Sequence, residues 1–287
     1  MLNLVIRYES VNEYEQPVHE ALFDFLIKPC NDEYQAVQEY ATHNSLGVEP
    51  HHYLNTFGFE VERIRGAASF RELHFFSEAK VHRSPNPFPE ASLLSVAEER
   101  ETLADPGFRI DLFPFLNPTH FTQVADKEHL PCWVLGQPLL EYYLELNQSL
   151  SRVMEFAPAE TTVETTAHQA LELGKGVCQD FTHVFIGWCR KQGLPARYIS
   201  GYLSQGFGFA GDLQMHAWPE VWLPGHGWLG FDPANNHVVD EHYVKVAHGA
   251  DYADCSPLRG VIRTAGAHQT QHKVNVTAME QHQQQQQ

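Results

Sequence analysis

Residues 176–193, GVCQDFTHVFIGWCRKQG, constrain the fold of this chain more than any other stretch. Phe181, Val184, Phe185, Trp188 and Cys189 recur at the i, i+3, i+4, i+7, i+8 spacing of one buried helical face. Gly193 followed by Pro195 is a C-terminal stop, because glycine tolerates a left-handed cap and proline cannot continue the helix. Gly176 at the other end reads as a sharp backbone turn. The helix therefore presents Cys178 at or near its first turn. Unpaired N–H groups at a helix N-terminus favour an anion, and the thiolate is the nucleophilic form of cysteine. The same placement also suits a small buried hydrophobe, so the rest of the chain must decide.

Ahead of this helix, strands are predicted over 2–10, 21–29, 57–65 and 69–82, while 33–43 fits helix or strand by its own pattern. Short strands separated by turn signals predict a β-rich domain over residues 1–85. Residues 84–89, SPNPFP, hold three prolines and form a connector. The acidic run at 98–101 reads as a solvated helix face. Residues 110–121 read as an ordered, proline-punctuated linker, and helices are predicted over 138–153 and 162–173. Residues 86–154 are thus assigned to linker and helices.

Behind the helix, strands are predicted over 196–203, 214–223 and 228–232, with a glycine-rich loop at 204–213 and a GHG turn at 225–227. Pro219 inside the second strand predicts an edge position or a bulge. The core is assigned to residues 155–265. Residues 266–287, which end in QHQQQQQ, are predicted to be a disordered tail.

Bulk properties exclude several classes. Nineteen basic against thirty-six acidic residues give a net charge of −17, so neither nucleic acid nor an anionic membrane surface is an expected partner. No run of about 18 or more apolar residues predicts a membrane span. The N-terminus, MLNLVIRYES, lacks a signal-peptide layout, and a cytoplasmic location is expected. The five cysteines form no CxxC pair and the histidines no HExxH motif, so no metal site is predicted and reduced thiols are expected.

Three residues then supply complementary chemistry: Cys178 as nucleophile, His216 as base and Asp232 as orienting carboxylate. A hairpin of 214–223 with 228–232 is a natural way to bring His216 beside Asp232. Trp218 and Trp222, which follow the histidine, are candidates to line a substrate channel, or else pack the hairpin. Asp180 reads as electrostatic support for the helix start, and His183 and Cys189 as structural.

GVCQDFTHVFIGWCRKQGLPARYISGYL followed by MHAWPEVWLPGHGWLGFDPANN resembles the core of the bacterial transglutaminase-like superfamily, which includes transglutaminase-like cysteine proteases. Cys178, His216 and Asp232 fall on that family's catalytic Cys, His and Asp. YESVNEYEQPV near 8–18 and FGFEVERI at 57–64 are similar to the β-rich domain that precedes this core in many bacterial members, which favours strand over 33–43. Phe59 and Pro219 depart from the family pattern.

The resemblance implies an α+β, papain-like core, with a helix-borne cysteine packed on an antiparallel sheet. It implies acyl transfer through a thioester on peptide or glutamine amide bonds, without a cofactor. A protein or peptide is the implied substrate. Water as acceptor makes a cysteine peptidase or amidase and an amine makes a transglutaminase; the former is the preferred expectation. A catalytically silent interaction module on the same fold is the alternative, although such members typically lack the nucleophile or the base.

Overall fold

The computed structural model describes residues 1–125, 130–211 and 213–279. Six strands come first: β1 (Leu2–Val18), β2 (Glu20–Phe25), β3 (Gln35–Asn44), β4 (His51–Leu54), β5 (Glu60–Gly66) and β6 (Phe70–Arg83). Helices α1 (Val96–Ala104), α2 (Pro106–Asp111), α3 (Phe113–Leu116) and α4 (Leu139–Val153) follow. Then come β7 (Glu155–Phe156), α5 (Ala167–Leu173), β8 (Lys175–Gly176), α6 (Cys178–Lys191) and β9 (Ala196–Leu203). The chain closes with β10 (His216–Leu223), β11 (Gly227–Asp232), β12 (His237–Val238), β13 (Tyr243–Gly249), α7 (Tyr252–Cys255), β14 (Leu258–Arg263) and β15 (His268–Ala278).

The N-terminal strands form two antiparallel sheets, each finished by a strand from the other end of the chain. Their orders are β15-β1-β6-β3 and β14-β2-β5-β4. Along β1, Leu4, Ile6 and Tyr8 are buried and Arg7 is exposed, the period of two of a strand with one covered face. Phe25 of β2 stacks on Phe75 of β6 with ring centroids 3.9 Å apart, joining the two sheets.

The expectation of a disordered tail over 266–287 is corrected here. β15 pairs with β1 from Tyr14 opposite His268 to Leu4 opposite Ala278. Its sequence, HQTQHKVNVTA, gives little apolar signal because only Val274 and Val276 turn into the core. The rest of its gain comes from backbone pairing along an edge that would otherwise stand open. Residues 280–287 lie outside the described residues.

The central sheet has the order β12-β11-β10-β9-β13, with antiparallel pairing throughout, and α6 packs on β9 and β10. The predicted apolar stripe of α6 is buried, but so is every residue from Gln179 to Arg190. Other elements cover the face opposite that stripe as well. At Gly187 a Cβ would lie 2.1 Å from the Thr122 carbonyl oxygen, so the linker crosses the helix against bare backbone. α5 is shorter than predicted because Thr166 caps it in a box with Gln169.

Pro219 corrects a second expectation. β10 is an interior strand with no bulge at this position: Pro219 pairs with Tyr198 in continuous register. The ladder to β11 runs from Leu223–Gly227 to Glu220–Gly230 and stops there. The proline stands just beyond it, where β11 needs no donor.

The β-rich part and the central sheet share one contiguous core. The Tyr202 hydroxyl donates to the Ile27 carbonyl at 2.6 Å. Gln35 Nε2 donates to the Lys245 carbonyl at 2.7 Å, and Gln35 Oε1 accepts the Lys245 N–H at 2.9 Å. Among the described residues no helix is long and apolar enough to cross a membrane.

Candidate active site

The start of α6 is fixed by its third residue. Asp180 Oδ2 accepts the Val177 N–H at 2.8 Å and the Thr161 hydroxyl at 2.7 Å. This is the carboxylate half of a capping box. Burial pushes the Asp180 carboxyl up, against the pull of those two donors. Gly176 is not the sharp turn read from the sequence, since its φ is not positive. It supplies room: a Cβ there would lie 2.6 Å from the Asp180 side chain. Cys178 is consequently the first helical residue, partly exposed, and its N–H has no acceptor within the helix.

His216 opens β10 and Asp232 closes β11, so the hairpin carries both across a short distance. His216 Nε2 lies 2.7 Å from Asp232 Oδ2, with both side chains fully buried. Asp232 is held by more than the imidazole. Its Oδ2 also accepts the Asn235 side-chain N–H at 2.8 Å and the Tyr243 hydroxyl at 2.9 Å. Its Oδ1 accepts the backbone N–H of Ala234 at 3.1 Å and of Asn235 at 3.2 Å. Burial disfavours charge on His216, but the Asp232 carboxylate and the Cys178 sulfur outweigh it and raise the ring from 6.5 to about 10. Burial likewise opposes the Asp232 charge, yet the imidazolium and the donors around it bring that carboxyl below its ordinary value.

With Nε2 committed to Asp232, the second ring nitrogen is left for other work. Nδ1 has no hydrogen-bond partner among the described residues. Cys178 and His216 line the same cavity, of about 450 Å³. Gly211 belongs to that lining too, and a Cβ on it would approach Nδ1 to 3.1 Å. The structure thus brings the three sequence-predicted residues into one neighbourhood: sulfur and ring at a common cavity, ring and carboxylate in a hydrogen bond.

Trp218 and Trp222 are not part of that lining. They border a separate cavity of about 530 Å³, with Arg197, Glu220 and Lys245. Trp218 packs edge-on against Tyr243 at 5.4 Å and beside the His216 ring, filling space behind the buried pair. The expectation that they line the channel at Cys178 therefore gives way to packing.

Two residues that sequence reasoning passed over hold the carboxylate. Asn235 sits in the ANN run after Asp232-Pro233, a turn signal that could have pointed to it; Tyr243 carries no such signal. Asn235 also holds the glycine-rich loop, accepting the Ala210 N–H at 2.7 Å. His183 is buried, pushed down to about 3 by desolvation and then by Arg190, and its Nε2 accepts the Tyr252 N–H at 3.1 Å. That is a structural role. Burial pushes the Cys30, Cys189 and Cys255 thiols up, away from reactivity. Among the described residues no three His, Cys, Asp or Glu side chains gather as a metal-binding set.

Known proteins resemble this chain in sequence and in fold. A family model for the transglutaminase-like superfamily matches residues 136–233, which include Cys178, His216 and Asp232. Uncharacterized proteins of Mycobacterium tuberculosis and Mycobacterium bovis are 33% identical over 207 residues, 68% of this chain and 66% of each relative. The match therefore spans about two thirds of those relatives' own length. A protein-glutamine gamma-glutamyltransferase of Pseudomonas aeruginosa is 34% identical over 97 residues, 29% of this chain and 14% of that protein. A solved structure of a proposed cysteine protease from Cytophaga hutchinsonii superposes with a TM-score of 0.77 at 21% identity, covering 97% of this chain and 91% of that one. That likeness extends the shared α+β fold to the β-rich N-terminal region. Through the core at residues 136–233, this chain belongs to the transglutaminase-like superfamily.

Proposed function

We propose that this protein is a thiol-dependent acyl-transfer enzyme acting on peptide or glutamine amide bonds, with water as the preferred acceptor. One observation carries the reading. A buried imidazole is held through Nε2 by Asp232 at 2.7 Å, and it shares a cavity with the first residue of α6, Cys178. His216 Nδ1 takes the Cys178 proton, and the sulfur attacks the amide carbonyl. The Cys178 N–H, which has no helical acceptor, is available to the developing oxyanion. The imidazolium returns its proton to the departing amine, leaving a thioester on Cys178. Water, activated by the same ring, then releases the acid. Asp232 keeps the ring oriented and favours its protonated form.

An amine as acceptor is the second reading, supported by the 97-residue likeness to a protein-glutamine gamma-glutamyltransferase. Both readings use the same three residues and a protein or peptide substrate. One assay separates them: ammonia release and backbone cleavage on a glutamine peptide, with and without a primary amine. Cleavage marks a peptidase, ammonia alone an amidase, and amine incorporation a transglutaminase. Cys178→Ala is expected to remove whichever activity appears, by about 10³-fold or more. Turnover retained in that variant would rule the mechanism out.

A further inference from the structure

The wall of the Cys178 cavity differs from the rest of the molecule. The chain carries nineteen basic and thirty-six acidic residues, yet among the described lining residues none is Asp, Glu, Lys or Arg. Phe156, Val163, Leu213, Met215 and Leu258 are among the residues that line the cavity. The polar side chains on the far wall are neutral and paired with each other. The Tyr8 hydroxyl lies 2.8 Å from His272 Nδ1, and burial pushes Tyr8 up and His272 down, so both stay uncharged at neutral pH.

The mouth continues the same chemistry. Val163 is 51% exposed and Leu213 is 67% exposed, and both belong to the cavity lining. A single exposed apolar residue needs no explanation; two at the rim of one apolar cavity that opens on a thiol are a different matter. Both are anchored through their backbones. The Val163 carbonyl accepts from Gln179 Nε2, the residue after Cys178, at 3.1 Å. The Leu213 carbonyl accepts from the Val274 N–H of β15 at 3.1 Å. The two lips are therefore held in place before anything binds.

Resting on the acyl-transfer reading above, we propose that this cavity is the specificity subsite for the acyl donor. It takes an uncharged, bulky apolar side chain beside the amide bond that is broken, and Val163 and Leu213 are its specificity-determining residues. Apart from the His216 ring at the thiol itself, the described lining offers an ionic side chain no counter-charge for the water it would lose. An apolar one gains by the area it hides. The far wall comes from β1 and β15, so selectivity belongs to the whole chain rather than to the core alone.

The test uses the full chain and needs no knowledge of the natural substrate. Methanethiosulfonate reagents carrying benzyl, trimethylammonioethyl and sulfonatoethyl groups are reacted separately. Labelling at Cys178 is followed by peptide mass mapping and normalised to each reagent's rate with glutathione. The benzyl reagent is expected to exceed both charged ones by about tenfold or more. Leu213→Glu and Val163→Glu, both at exposed positions where folding is spared, are expected to lower that preference severalfold; labelling of exposed Cys132 stays unchanged. Equal normalised rates at Cys178, or lip variants without effect, overturn the subsite while leaving the nucleophile in place. Labelling of Cys132 with no labelling of Cys178 by any reagent overturns the acyl-transfer reading, and the subsite with it.

Discussion

Asp232 is a fully buried carboxylate with five donors around it, and only one of them is the histidine. Such a group cannot swing away from the ring, which is what an orienting residue requires. The same pairing makes a prediction about stability. The His216 ring is raised in the folded state to about 10 from 6.5, so its contribution is fully present below pH 6.5. It is then lost as pH climbs from 6.5 through about 10. Asp232 is lowered, so its share is present above its unfolded value of 3.8 and is lost as pH falls below it. In Asp232→Asn the ring loses the charge that raised it. Urea unfolding between pH 6 and 10 is expected to show a smaller decline for the variant than for the wild type, and its activity to fall by about 10²–10⁴-fold. Parallel pH slopes would mean that the carboxylate does not set the protonation of the ring. Cys178, His216 and Asp232 were legible in sequence because their residue types and order carry the chemistry. Asn235 was marked only by its turn signal, and Tyr243 by nothing, since its phenol reaches the carboxylate only once β11 and β13 sit in one sheet.

At the scale of elements, α6 shows how a legible helix can hide its most demanding residue. The apolar spacing gave its length and its stop, and Gly193 does adopt a positive φ of 76°. Arg190, in the last turn, looks like a solvated cation that complements the helix dipole. It is instead 4% exposed and spreads its guanidinium over backbone carbonyls. Nε donates to Phe115 at 3.1 Å, Nη1 to Asn117 at 3.1 Å, and Nη2 to Ala196 at 2.8 Å and Ala250 at 2.7 Å. One planar fork thus fastens the linker after α3, the start of β9 and the end of β13 to the helix that bears the thiol. Burial pulls its pKa down to about 10, which leaves it charged at neutral pH. Arg190→Leu would strand several buried carbonyls at once, and a loss of about 3 kcal/mol or more is expected in urea unfolding. Arg190→Lys is expected to recover little, because a point charge cannot reproduce the fork. A loss below about 1 kcal/mol would mean that those carbonyls find other donors.

The whole molecule is closed by its ends. β14 completes one N-terminal sheet and β15 the other, so strands distant in sequence share each ladder. Strand periodicity could reveal β1 and β6 locally, but it could not reveal their third neighbour: β15 is polar on its outer side and gives only two buried valines to the core. The same closing strand supplies His272 to the far wall of the Cys178 cavity, and β14 supplies Leu258. The strands that complete the two sheets thus also complete the cavity wall. Removing everything after Pro257 opens the β1 edge, exposes the apolar faces that Val274 and Val276 cover, and takes away part of the cavity wall. Burial of two valines alone stabilises by about 3–6 kcal/mol, a large share of a typical domain's total. The shortened chain is thus expected to unfold at much lower urea, and whatever folded fraction remains is expected to lose the benzyl preference at Cys178. A shortened chain with wild-type stability and wild-type preference would show that the core at 136–233 builds its site unaided. A shortened chain that folds but labels every reagent alike would show that the end strands serve selectivity directly.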